Sequence, residues 1–147
     1  MAGSGFMALA LAEAEAASAR GEVPVGAVIV RDGAVIATAG NRVEELGDPT
    51  AHAEMLAIRQ AAALGDKRLE GCDLYVTLEP CPMCAAAISL ARIRRLYFGA
   101  YDPKGGGVEH GAKVFDHATC HHRPEVYGGL EESRSAEMLR AFFEKRR

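Results

Sequence analysis

Apolar and polar positions alternate along this chain in patterns that change from segment to segment, and each pattern predicts an element. From about Phe6 to Arg20 the run is rich in Ala, Leu and Glu, strong helix formers, and Gly21 supplies the stop. In "VPVGAVIVRDGAVIATAG", Val23 to Gly40, two β-branched runs flank Asp32-Gly33, which predicts a hairpin. A polar loop containing Pro and Gly covers Asn41 to Thr50. The stretch "DPTAHAEMLAIRQ" opens a helix that runs to about Leu64, with Gly65 beyond it. Cys72 to about Leu78 reads as a strand, broken by Pro80. "CPMCAAAISLARI" is helical, with Met83, Ala86, Ala87 and Leu90 on one stripe. "RRLYFGAYD" reads as a further strand ending near Tyr101, and Pro103 to Gly111 has the composition of a mobile loop. Residues Ala112 to Gly129 follow no clear period. The last helix, about Ser133 to Lys145, aligns Met138, Leu139, Phe142 and Phe143. The order α-β-β-α-β-α-β-loop-α predicts a layered α/β domain with a mixed sheet, and neither a repeat nor a second domain interrupts it.

Length and composition agree with a single domain. At 147 residues, with 49% hydrophobic and 25% charged residues, the chain can bury a core and carries no signature of disorder. No run reaches the ~20 apolar residues of a membrane-spanning helix. The start lacks a basic leading segment, and Glu13 and Glu15 follow its apolar patch, so a secretory leader is not expected. The net charge of -3 is not that of a general nucleic-acid binder. Local basic clusters do exist, at Arg92, Arg94 and Arg95 and at Arg140, Lys145, Arg146 and Arg147, and solvated surface charge accounts for them as well as a binding face does. Four cysteines without a secretory leader turn attention from disulfides to metal or redox chemistry.

His52 and Glu54 are the polar oddities of an alanine-rich helix start. Buried, either would be costly without a partner. The partners expected are Cys81 and Cys84, which a helix start would place on one face at i and i+3. Two thiols and an imidazole suit zinc, and the helix N-terminus favours thiolate. In mid-helix, i and i+2 point about 200° apart, so His52 and Glu54 can share a site only at the first turn. His52, Cys81 and Cys84 would then hold the metal and leave a fourth position for water, as catalytic zinc sites do. Zinc makes water acidic enough to supply hydroxide near neutral pH, and Glu54 could accept and pass on the proton. Three other readings stay open: a C-x-x-C redox pair, a closed structural site completed by Cys72 or a downstream His, and a helix-end His that binds nothing. "TCHHRP", with Cys120 to Pro124 following Thr119, reads as loop residues, and Cys72 as core packing.

H-x-E…P-C-x-x-C is a known signature of zinc nucleobase deaminases, so the match here is one of recognition rather than discovery. Together with "EVPVGAVIV", "GNR", "DPTAHAE", "LYVTLEPCPMCAAAI" and "FGAYDPKGG", it makes the chain resemble bacterial tRNA-specific adenosine deaminases of the cytidine deaminase-like superfamily, from Glu22 to about Gly106. The resemblance implies one domain over residues 1–147, a three-layer α/β/α fold with a central mixed sheet of about five strands. It implies one Zn2+ per subunit on His52, Cys81 and Cys84, with Glu54 as proton shuttle. Asn41 would hold the target nucleoside, Val25 and Leu78 would line the base pocket, and Asp102 would contact RNA near the flipped base. The implied partners are a tRNA anticodon stem-loop and a second subunit in a homodimer, with no membrane, in the cytoplasm. The implied reaction converts wobble adenosine to inosine. A free-base or nucleoside deaminase, acting on guanine, cytosine or cytidine, is the alternative that shares the zinc chemistry. A zinc-stabilised binding module without catalysis is the alternative of another class. The segment Val108 to Gly129 departs from the family pattern.

Overall fold

The computed structural model describes residues 2–146, with side chains from residue 5 onward. In chain order the elements are α1 (Ala2–Ala19), β1 (Gly26–Arg31), β2 (Ala34–Gly40), α2 (Val43–Leu46), α3 (Ala53–Ala62), β3 (Cys72–Leu78), α4 (Pro82–Ala91), β4 (Arg95–Ala100), β5 (Glu125–Tyr127) and α5 (Glu132–Glu144). A single 3-10 turn, Val114–Asp116, lies in the long connection before β5. The five strands form one sheet in the order β2-β1-β3-β4-β5. β1 pairs antiparallel with β2 and β3, while β3–β4 and β4–β5 are parallel, so the sheet is mixed as the element order predicted.

The layers follow from alternation along the strands. Ala27 and Ile29 of β1, with Leu74 and Val76 of β3, face a core shared with Ala53, Ala57 and Ala61 of α3 and Ala85 and Ile88 of α4. The intervening Val28, Val30 and Tyr75 face the other way, against Met7, Ala10 and Leu11 of α1. Period-two strands buried on both faces therefore give an α/β/α sandwich. The alanines of α1 have a packing reason as well as a propensity one. A Cβ added at Gly26 would sit on the Ala10 carbonyl and 2.7 Å from the Ala14 nitrogen, so helix and strand backbones meet directly. The hairpin turn is at Asp32-Gly33, both with positive φ (51° and 78°), which suits a two-residue connection of right-twisted strands.

Several sequence expectations are corrected. The opening helix begins at Ala2 rather than near Phe6. α3 begins only at Ala53, because Asp48 first closes a turn by accepting from the backbone N–H and hydroxyl of Thr50 at 2.9 and 2.8 Å. The polar loop before it contains the one-turn helix α2. The unassigned segment supplies β5, three residues long and too short to show a period. The stripe Met83, Ala86, Ala87 and Leu90, whose partner the sequence left open, faces away from the core: α4 buries Cys84, Ala85, Ile88, Ser89 and Ala91, and Leu90 is 77% exposed. In a helix apolar nearly all round, spacing defines a face but does not say which face is covered. The basic cluster at residues 92–95 is largely neutralised, Arg94 gripping Asp73 through two 3.0 Å hydrogen bonds and Arg95 lying 3.7 Å from Glu125.

Candidate active site

Two helix starts meet at the C-terminal end of β3. His52 is the N-cap of α3, in extended conformation, and Ala53 is its first helical residue. Cys81 is the N-cap of α4, Pro82 occupies the first turn, and Cys84 follows one turn on. This geometry brings the His52 Nδ1 atom to 3.6 Å from the sulfur of Cys81 and 3.6 Å from that of Cys84. All three donor atoms lie within 4.8 Å of one another, the only such group of three among the described residues. Tetrahedral zinc with bonds of about 2.3 Å to sulfur and about 2.0 Å to nitrogen would hold S and N about 3.5 Å apart, close to the 3.6 Å found. The donor set and its spacing therefore fit one zinc ion. A metal accounts for the imidazole that stands equally near both thiols, which a dithiol redox pair does not require.

The protonation states lean the same way. Hydrogen bonding with Cys84, and less strongly with His52, pulls the Cys81 thiol down to about 4 against its own desolvation. Cys84 is pushed up by the hydrogen bond it shares with Cys81 and by burial. His52 is raised, chiefly by its bond to Cys81. The pair thus already holds one thiolate, and a divalent cation would displace the remaining proton. Glu54, one residue into the helix beyond His52, is buried at 4% exposure beside these groups. Desolvation pushes its carboxyl up to about 7, with the nearby Cys81 adding to the rise. A carboxyl titrating near neutrality can both accept and donate a proton.

A cavity of about 630 Å³ opens above this group. Val25, Asn41, Leu78 and Asp102, the four residues expected to meet substrate, all line it, as do His52, Glu54 and Cys81. Asn41 is buried, and its Oδ1 accepts the Ala53 N–H at 2.7 Å, tying the cavity wall to the start of α3. Asp102 is turned partly into its own loop, where Oδ1 accepts from the N–H groups of Lys104 and Gly105 at 3.2 and 2.9 Å. Phe142 and Phe143 of the terminal helix, and Arg146 just beyond its end, also line the cavity.

Sequence reasoning missed two buried carboxylates. Glu22, 1% exposed, accepts the backbone N–H groups of Glu44 and Glu45 at 3.0 and 2.8 Å and so caps α2. Glu79 accepts five donors from residues 102–110, and this overturns the expectation that Pro103 to Gly111 is mobile: Gly106, Gly107 and Val108 are buried. Burial pushes the Glu79 carboxyl up, but the N–H groups of Asp102, Glu109 and His110 together with the His110 ring outweigh it and hold it below its usual range. The available signal was an acid between an apolar strand end and Pro80, ahead of a triple glycine. "TCHHRP" is a loop as expected, pinned to α4 where Ser89 donates to the His122 carbonyl at 2.7 Å.

Comparison with known proteins agrees with this geometry. Residues 3–100 match the cytidine and deoxycytidylate deaminase zinc-binding region. A tRNA-specific adenosine deaminase of Agrobacterium fabrum (strain C58 / ATCC 33970) is 66% identical over 143 residues, covering 97% of this chain and 94% of the relative. A solved structure of a tRNA:A34 deaminase, studied for A-to-I editing at the wobble position, is 66% identical with a TM-score of 0.90, covering 92% of this chain and 99% of that one. A guanine deaminase from Nitrosomonas europaea shares the architecture at TM-score 0.77 and 26% identity, covering 95% of this chain and 83% of that one. With its three-ligand group, its buried glutamate and this likeness along nearly its whole length, the chain belongs to the tRNA-specific adenosine deaminase family of zinc-binding deaminases.

Proposed function

We propose that this protein deaminates adenosine at the wobble position of a tRNA anticodon, adding water and releasing ammonia to leave inosine. One observation carries the chemistry: Glu54, buried and with its carboxyl pushed up by desolvation, stands beside a zinc-fitting His-Cys-Cys group on a cavity of about 630 Å³. Zinc bound by His52, Cys81 and Cys84 would supply the Lewis acidity that makes water nucleophilic near neutral pH. Glu54 takes one proton from the attacking water and delivers it to ring nitrogen N1 as oxygen bonds to C6, then carries the second, from the new C6 hydroxyl, to the amine, so that the C–N bond breaks and ammonia leaves a C6 carbonyl. Asn41 has its Oδ1 occupied by Ala53, so its amide NH2 is the group left to orient the nucleoside. Val25 and Leu78 give the base an apolar seat, and Asp102 meets the RNA at the opposite wall. An anticodon loop presents an unstacked adenine, so little pairing energy is lost on entry.

The likeness to tRNA-acting relatives over nearly the full chain supports RNA over a free base. Guanine deaminases share the architecture, so the fold does not choose the substrate. A binding module has no use for an unligated buried carboxylate beside the metal, which argues for turnover. Charge is consistent with a local RNA contact: net charge is -3, yet Lys104, Arg140 and Arg146, together with Glu144, line a second cavity that shares Phe143 and Arg146 with the first. The protein works as a homodimer in this reading, and the outward apolar face of α4, with Leu90 77% exposed, supports a second copy there. Among the described residues no helix is long and apolar enough to cross a membrane, and a tRNA substrate favours the cytoplasm. The test incubates zinc-loaded protein with an anticodon stem-loop carrying wobble adenosine, beside free guanine, cytosine, cytidine and adenosine. Inosine in the stem-loop alone supports the proposal; ammonia from a free base with the RNA untouched replaces its substrate.

A further inference from the structure

Glu79 sits at the hinge between the strand that ends at Leu78 and the turn that carries the metal ligands. Its side chain is fully buried, and the nearest positively chargeable group is His110. An isolated buried carboxylate is expensive, so its environment must be built around it. Oε1 accepts the Asp102 N–H at 3.0 Å and the His110 ring Nδ1 at 2.8 Å. Oε2 accepts the N–H groups of Val108, Glu109 and His110 at 3.2, 2.9 and 3.0 Å. One carboxylate thus gathers both ends of the 102–110 loop. The loop is also pressed against the ligand turn. Gly107 donates to the Pro80 carbonyl at 2.8 Å, and a Cβ added there would lie 2.6 Å from the Pro82 nitrogen and 2.9 Å from the Cys81 carbonyl carbon. A Cβ at Gly106 would collide with the Glu79 Oε2 and lie 2.6 Å from its Cδ. Glycines let the loop approach this closely, and the same loop presents Asp102 and Gly105 to the substrate cavity.

We infer that Glu79 is a positioning residue that fixes the cavity wall formed by residues 102–110 and so governs how tightly substrate is held. The inference rests on the substrate reading above, in which this wall meets RNA. Glu79 does not touch the reacting atoms; it acts through the backbone of Asp102. Glu79→Gln is the sharpest variant, because it keeps shape and removes charge. Its amide oxygen can still accept the three N–H groups on the Oε2 side. Its NH2 must then face the Asp102 N–H, donor against donor, while the His110 ring can change tautomer and accept.

The experiment compares wild type, Glu79→Gln, His110→Ala and His110→Asn by zinc content, amide hydrogen exchange, and kcat and KM on the stem-loop. Glu79→Gln should keep one zinc per chain, exchange faster at residues 102–110, and raise KM about fivefold or more with kcat within about twofold. His110→Ala should move the same way by a smaller factor, and His110→Asn, whose amide nitrogen can replace Nδ1, should restore KM. If Glu79→Gln does not fold, the two His110 variants decide by the same readouts. Unchanged exchange and KM in folded, zinc-loaded variants would overturn the inference. So would zinc loss with falling kcat at constant KM, which would place Glu79 in the ligand turn alone. A wild type inactive on the stem-loop would instead sink the substrate reading, and loop exchange and zinc content would still judge Glu79.

Discussion

Glu54 and Glu79 are both buried carboxylates, yet their surroundings shift them in opposite directions. Glu54 is desolvated beside a thiolate and rises to about 7, whereas Glu79 is surrounded by N–H donors and stays ionised. The first arrangement suits proton transfer and the second suits holding a backbone. Glu54→Ala should therefore retain one zinc per chain and lower kcat on the stem-loop by about 10³-fold or more, since positioned acid–base groups contribute on that order. Metal analysis with single-turnover inosine formation checks this, and a wild-type rate would remove the assigned role. Asn41 separates its two duties by substitution. Asn41→Asp keeps the oxygen that accepts the Ala53 N–H but loses the amide donors, so stability should hold while KM rises. Asn41→Ala also strands that buried N–H and should cost about 2 kcal/mol in a denaturant melt. His52, Glu54, Cys81 and Cys84 were legible because their chemistry is carried by side-chain type and spacing. Glu79 was not, because its meaning lies in five donors from a loop more than twenty residues downstream.

Elements were legible where period and stop signal agreed. The hairpin at Asp32-Gly33 and the strand Cys72–Leu78 were placed within a residue or two, because turn chemistry and β-branching act locally. β5 was invisible, since three residues paired in parallel with β4 owe their conformation to the neighbour strand. The direction faced by α4 was open in the sequence for a related reason. Its outward Met83, Ala86, Ala87 and Leu90 form as good a stripe as its inward Cys84 and Ile88. Placing charge on the outward side is the test of what covers it: Leu90→Glu should leave the thermal melt near wild type and shift sedimentation toward the monomer. A melt lowered by several degrees with unchanged mass would show Leu90 supporting the fold instead. On the opposite layer, Gly26→Ala should destabilise by about 2 kcal/mol, the usual range for overpacking, because the added methyl meets the backbone of α1.

At the scale of the whole molecule, the zinc-fitting group joins two helices whose ligands are 29 and 32 positions apart in sequence. A ligand that binds only the folded chain stabilises it by mass action. Chelation should therefore lower the melting temperature by several degrees, and zinc should restore it while magnesium, which prefers oxygen donors, should not. Differential scanning calorimetry of both forms reads this directly; an unchanged melt on full metal removal would argue against zinc on these residues. The chain by itself determined the layered α/β class with a mixed sheet, the hairpin, the identity of the metal-fitting residues and the glutamate beside them. Those depend on local propensity, period-two burial and the intrinsic chemistry of His, Cys and Glu, all of which travel with the sequence. Only the tertiary structure decided the fastening of the glycine loop by Glu79, the capping of α2 by Glu22 and the exposure of one α4 face. Each of these is a matter of which distant backbone or surface arrives at a given side chain, and that is set by packing across layers rather than by neighbours along the chain.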